Sequence, residues 1–281
     1  MNERRTLSGR RTGRRALQRL THLPSTAWCS LKHYALKQRS RPVGPVDEAV
    51  VDEVLAGYDD DVVFVHAGLS DIKTALQTNP YEALMEKLED AFESVLAPGF
   101  THSFRETGVF DVEETPPELG AFSGLFFQDA DYRTPDPLHS VLVSGSYRFD
   151  GCSFRDTFGP ESPYAQLSAE NVLYLNVGTP WLISTQIHYI ERICDVPYAD
   201  TITIDGELVV DGDTEPISQR NYEKNNYLYF WNRRKLRDEL VAAGVMDHYS
   251  LNGLNVMGVR AGDMERFLVD RIEQDPYYLV R

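Results

Sequence analysis

Between positions 133 and 140 the chain reads Arg-Thr-Pro-Asp-Pro-Leu-His-Ser: a guanidinium, two hydroxyls, a carboxylate and an imidazole within eight residues. Pro135 and Pro137 fix φ and push the residues before them out of the helical region, so this is a stiff, extended loop feeding the apolar run from Val141. Polar groups on such a loop at a strand end suit a binding or catalytic site, although the same groups can simply satisfy the backbone of a turn. A second constellation is His188 with Glu191, three apart in a helix that Ser184-Thr185 can cap, and therefore on one face. An imidazole titrates near neutrality and can take a proton, and a neighbouring carboxylate can orient it. A third is His66-Ala67-Gly68-Leu69-Ser70 at the exit of an apolar strand, where small residues let backbone N–H groups approach a ligand.

Those residues need a frame, and 281 residues at 42% hydrophobic can bury a sizeable core. Val62–His66 is apolar on both faces, as a covered central strand should be, and Asn171–Gly178 reads the same way. Further strands are expected near 94–100 and over Ser140–Tyr147, and Leu254–Val259 is an apolar stretch. Helices are expected near 46–57, from Asn79-Pro80 onward, from about Leu119 to Phe127, after Thr185, and near 233–243 and 262–274. Asn79, Pro80 and Glu82 make a clean helix start. Residues around Phe110-Asp111-Val112 read as a long polar loop, 158–163 as a turn, and Thr201–Gly212 as a hairpin turning at Asp205-Gly206. Alternating helices and strands give a three-layer α/β/α architecture, and the hairpin makes its central sheet mixed.

Charge divides the chain. Residues 1–42 hold eleven Lys and Arg against one acid, whereas the rest is strongly acidic, leaving −15 in total. Residues 1–42 therefore form a basic arm, with Arg10, Arg11, Arg14, Arg15 and Arg19 near helical spacing around Ala16, Leu17 and Leu20. It can be a mobile tail, a helix folded onto the acidic body, or an amphipathic helix making peripheral contact with an anionic membrane. Residues 43–281 form the main domain, reached through Arg41-Pro42-Val43-Gly44-Pro45. A body so acidic excludes nucleic acid as its partner and has the surface of a protein adapted to high salt, a halophilic trait. No apolar run approaches the roughly 20 residues of a membrane helix, and the three cysteines are far apart, which points to a reduced, cytoplasmic protein. Seven histidines without H-x-H or H-x-x-x-H pairing, and no phosphate-binding glycine loop, argue against a zinc hydrolase, any resident metal, and an NTPase. Trp181 and the aromatics over Tyr222–Trp231 can stack on a sugar, but pack more naturally into a core.

In this order the segments resemble the aminoglycoside 3-N-acetyltransferase-like (antibiotic N-acetyltransferase) family from about residue 46 onward. Val65–Leu69 is similar to its V-H-S-S-L, Arg133–Ser140 to R-S-x-H-P-x-x-S, Phe158–Pro163 to F-G-x-x-S-P, and Thr185–Glu191 to T-x-x-H-x-x-E. The resemblance implies acetyl-CoA-dependent N-acyl transfer to an amino group, with acetyl-CoA as co-substrate. It implies acyl-CoA contacts at His66, Gly68, Ser70, Arg133, Thr134 and Ser140, and a catalytic cleft lined by His188 and Glu191. Asp136 stands where the family has His, and an unperturbed Asp near pKa ~3.9 is a poor base at neutral pH. Asp136 is then tuned upward by burial, or His188 or His139 takes the proton, or Asp136 grips the acceptor's ammonium. The favoured reading has His188 as base, oriented by Glu191 or Asp136. Chains with Asp-Pro here and an Asp-Pro-aromatic tail, like Asp275-Pro276-Tyr277, resemble a surface-polysaccharide branch, implying a nucleotide- or lipid-linked amino sugar as acceptor. A catalytically silent relative and a true aminoglycoside enzyme are the competing readings.

Overall fold

A computed structural model describes Arg15, residues 18–29, Leu31, residues 42–226 and residues 228–281. Its centre is a parallel trio of strands: β1 (Val62–Ala67) lies between β2 (Ser94–Pro98) and β6 (Leu173–Val177). Antiparallel strands extend the trio on both sides. β5 (Val141–Gly145) pairs with β2 and carries the short β4 (Tyr132–Arg133), while β10 (Leu254–Arg260) pairs with β6 and carries β9 (Met246–Leu251). The seven-stranded mixed sheet thus runs β4-β5-β2-β1-β6-β10-β9.

Strand alternation sends side chains to two cores. Val63, Val65, Val95, Leu142, Leu175 and Val256 pack under α2 (Glu48–Leu55), α3 (Leu69–Leu76), α4 (Pro80–Ala91) and α6 (Ala121–Asp129). Phe64, Leu96, Val143, Tyr174 and Met257 pack on the other face against α7 (Pro163–Ala169), α8 (Gln186–Ile193), α9 (Arg233–Ala242) and α10 (Ala261–Gln274). The three layers and mixed sheet are those expected. α4 begins as its sequence dictates, with the Asn79 side chain accepting from Tyr81 N and Pro80 in the first turn.

Several elements differ from the sequence reading. The stretch taken as a polar loop contains α5 (Phe104–Thr107) and β3 (Val109–Asp111), and β3 starts a second, three-stranded sheet with β7 (Ala199–Val210) and β8 (Asp213–Lys224). The β7–β8 hairpin turns at Asp211-Gly212, both at positive φ (51° and 81°), and not at Asp205-Gly206. Gly206 stays inside β7 because a Cβ there would lie 2.4 Å from Gly108 O and 2.7 Å from the Phe104 ring, so glycine serves close packing. α3, α7 and β9 were not foreseen either.

The described part of the arm is helical over 18–29 (α1) and lies on the body. Arg15 pairs with Asp195 and Asp200, Arg19 reaches Asp200 and Pro197 O at 2.7 Å, and His22 stacks on Tyr277 with centroids 4.0 Å apart. Cys29 Sγ lies 3.5 Å from Phe230 O. Positions 15, 19 and 22 recur at three to four residues and position 29 follows seven later, about two turns on, so a single stripe makes these contacts. Arg10, Arg11, Arg14, Ala16 and Leu17 lie outside the described residues. Among those described, no helix is long and apolar enough to cross a membrane.

Candidate active site

A cavity of about 660 Å³ opens beside α8, lined among others by Phe100, His102, His139, Ser184, His188 and Trp231. α8 delivers the helix-spaced pair as expected. His188 Nδ1 sits 3.1 Å from Glu191 Oε2. Glu191 is fully buried and held from every side: Lys224 Nζ at 3.2 Å on the same oxygen, Tyr198 OH at 3.0 Å and Trp231 Nε1 at 2.6 Å on the other. Burial alone would raise its pKa, but Lys224 and these donors hold it down to about 2. An ionised Glu191 favours the proton on His188 Nδ1, which leaves the Nε2 lone pair to accept, and His188 lines the cavity. Burial, then the Lys224 charge 3.5 Å away, pull His188 down to about 4, so its ring is neutral at pH 7. Burial likewise brings Lys224 down to about 8, against the pull of Glu191.

The Arg-Thr-Pro loop is turned inward. Arg133 donates from Nε to Ser140 Oγ (3.0 Å), from Nη1 to Val112 O (3.3 Å) and Thr115 O, and from Nη2 to Gly99 O (2.7 Å) and Thr101 Oγ1 (2.9 Å). Its guanidinium lies over Phe110 and Phe127. All five donors are taken, so none is left for a coenzyme phosphate. Thr134 Oγ1 accepts from Val141 N at 2.8 Å, and Ser140 Oγ donates to Gly99 O at 2.6 Å; both side chains are buried. These three expected acyl-CoA contacts are therefore a clamp that fixes the loop.

Asp136 does not line the cavity, so it neither meets His188 nor grips an ammonium there. Its Oδ1 accepts from Leu138 N and His139 N, both at 2.8 Å, and its Oδ2 from Gln219 Nε2 at 3.1 Å. Burial raises its pKa while these donors oppose the rise. The local turn it builds aims His139 into the cavity. His139 packs edge-on to Phe100 (4.9 Å), with His102 and His188 at 5.9 and 6.1 Å. Burial, then the His188 and His102 charges, drive His139 well below its ordinary pKa, and its Nδ1 has no partner. Three imidazoles from separate segments thus share one wall.

The strand-exit residues lie behind that wall. His66 is buried beside Phe64 and Tyr174, both its ring nitrogens lack partners among the described residues, and burial, then the Arg233 charge, depress it to about 3. Gly68 approaches Gly178 so closely that a Cβ would lie 2.2 Å from Gly178 O, which joins the carboxyl ends of β1 and β6. Ser70, in the first turn of α3, is exposed. Sequence reasoning did not single out His102, Lys224 or Arg233, which reach the cavity from the 99–104 loop, the end of β8 and the start of α9. One signal was present: Lys224 is among only six lysines in the chain. Trp231 and Tyr222 are core-buried, and Tyr227 lies outside the described residues. No group of three or more His, Cys, Asp or Glu among the described residues could hold a metal ion.

Known proteins give the arrangement its context. The fold is similar to that of the aminoglycoside acetyltransferase AAC(3)-Xa (TM-score 0.69, 19% identity, covering 82% of this chain and 94% of that one). It is similar to YokD from Bacillus subtilis (TM-score 0.66, 16% identity, covering 82% and 94%) and to AAC-IIIb solved with CoASH (TM-score 0.66, 18% identity, covering 82% and 97%). Comparison with curated protein sequences finds no match. The model of the aminoglycoside 3-N-acetyltransferase family matches residues 64–273, three quarters of the sequence and every element that builds the cavity wall, so the chain belongs to that family of acetyl-CoA-dependent N-acetyltransferases.

Proposed function

We propose that this protein transfers the acetyl group of acetyl-CoA to an amino group of a sugar in the assembly of a surface glycan, with residues 43–281 as the acyltransferase body and 1–42 as an attached arm. The observation that carries the chemistry is His188, which lines the cavity with its Nδ1 beside a buried, ionised Glu191. The acceptor nitrogen attacks the thioester carbonyl, its proton passes to His188 Nε2, the C–N bond forms, and the C–S bond breaks to release the CoA thiolate. Glu191 orients the ring and stabilises the imidazolium that forms; Lys224 keeps Glu191 ionised. Open α/β sheets bind ligands at the carboxyl ends of their strands; at the ends of β1 and β6 the exposed Ser70 lies two residues beyond the Gly68–Gly178 approach, and this edge suits the pantetheine arm.

The glycan reading is supported by Asp136 and the Asp275-Pro276-Tyr277 tail, and by the charge of the cavity. Arg105, Lys224 and Arg233 line it against a single acid, Glu223, a poor match for a polycationic aminoglycoside. Purified full-length protein, incubated with acetyl-CoA and a panel of kanamycin-type amines and nucleotide-linked amino sugars, should release the CoA thiol fastest with the amino sugars. Faster release with kanamycin would make it an aminoglycoside enzyme, and no release with any amine would make it a silent relative.

A further inference from the structure

Three of the four charged side chains lining the cavity have partners inside the protein. Arg105 pairs with Glu223, and Lys224 with the buried Glu191 behind the wall. Among the described residues, no carboxylate and no hydrogen-bond acceptor meets the Arg233 guanidinium, which is set against the rings of Trp181 (5.8 Å) and Trp231 (5.7 Å). Its backbone is pinned: Asn232 caps α9, accepting from Lys235 N at 3.3 Å, and Asn232 N donates to Leu279 O at 2.7 Å. A half-buried guanidinium that spends none of its five donors on the described residues keeps them for a ligand in the cavity, since aromatic faces satisfy its charge but not its N–H groups. Ser184 Oγ, on the wall of the same cavity, is also buried without a partner. Among the described residues lining the cavity, one positive charge is therefore left without a partner, in a protein whose net charge is −15.

We infer that Arg233, with Ser184, forms a subsite for one anionic group, a phosphate or carboxylate, carried by the amine acceptor. The planar guanidinium suits a bidentate contact with such a group. The inference rests on the acyl-transfer reading for the identity of the ligand, and it narrows the acceptor to an amino sugar with an acidic substituent. Acetyl-CoA carries phosphates too, but the whole pantetheine arm separates them from the thioester. Arg233 and His188 flank the same Trp231 ring, which lies 4.6 Å from His188. An anion on Arg233 is thus beside the proton acceptor, where the reacting amine must also be. Burial brings the guanidinium down to about 10, still charged at pH 7.

The test compares glucosamine with glucosamine 1-phosphate as acceptors for wild type, Arg233→Gln and Arg233→Lys, with acetyl-CoA varied separately. Wild type should prefer the phosphorylated amine. Arg233→Gln should raise its KM about 10- to 100-fold, the range for hydrogen bonds to a charged group, and change the KM values for glucosamine and acetyl-CoA far less. Arg233→Lys should fall between. A rise in the acetyl-CoA KM instead would assign Arg233 to the coenzyme and overturn the inference, as would equal use of the two amines by wild type. Calorimetric titration of glucosamine 1-phosphate into the same three proteins needs no turnover. Arg233-dependent binding without acetylation would keep the subsite and defeat the acyl-transfer reading; binding indifferent to Arg233 would defeat the subsite. Matching thermal unfolding of the three proteins shows that the variants are folded.

Discussion

Arg133 and Arg233 are both drawn out of bulk water against aromatic rings, yet their surroundings are opposite. Around Arg133 three carbonyls and two hydroxyls meet all five donors, and the side chain joins the loop at 133–140 to the 99–101 and 112–115 segments. Around Arg233 no described residue accepts, although the backbone beneath it is fixed. Substituting the first removes a partner from five acceptors at once; substituting the second removes an unmatched charge. The contrast separates residues that hold the site together from residues that await something outside the chain, and sequence position does not reveal which is which.

The largest effect expected is on His188. His188→Ala should lower kcat by about 10²–10⁴-fold, the usual contribution of a general base, with unfolding unchanged. A loss smaller than tenfold would shift the proton to His139. Next is Arg133→Met, which leaves several buried acceptors unpaired at about 1–3 kcal/mol each, so urea unfolding should show a collapse in stability. Arg133→Lys should rescue it poorly, since three donors cannot replace a five-donor fork. Arg233→Met should leave the urea midpoint unchanged or raise it; destabilisation equal to that of Arg133→Met would end the comparison. A smaller effect belongs to Asp136→Asn. Its carbonyl can still accept from Leu138 and His139, but its amide would face the Gln219 amide, so about 1 kcal/mol of stability should go with little change in acceptor KM. A rise in KM alone would return Asp136 to the substrate.

The pH profile gives the finest test. His188 must be neutral to accept a proton, so activity should be present above its folded pKa of about 4 and lost as pH falls through it. Lys224→Met removes the cation that helps depress His188, so this acid limb should move to higher pH. A limb that stays in place or moves down would mean that Lys224 does not face the base.

What the sequence revealed is what is locally determined. β1 and β6 announced themselves by being apolar on both faces, α4 by Asn79-Pro80-Glu82, and His188 with Glu191 by helical spacing. The β7–β8 turn was misplaced because the chain has Asp-Gly at both 205–206 and 211–212, and only packing on Phe104, a hundred residues earlier, keeps Gly206 extended. Asn252-Gly253, at φ 45° and 94°, was a local signal for the β9–β10 hairpin, passed over because β9 is polar and largely exposed. Asp136 was read as chemistry, yet its acceptance from residues two and three ahead is an ordinary Asx-type turn. Lys224 and Arg233 were beyond reach: their meaning lies in which neighbours they meet, and those come from β8, α8 and α9.

The helix at 18–29 touches the last residues of the chain through His22 and Tyr277. Residues 18–29 and the segment around Tyr277 are thus fastened to each other as well as to the body, partly by the half-exposed Arg19–Asp200 pair. Tension applied between residue 15 and residue 281 would peel this seam before loading any strand of the central sheet. Because added salt screens an ion pair of that exposure, the force at which the seam parts should fall as ionic strength rises, while the force that unravels the sheet should not.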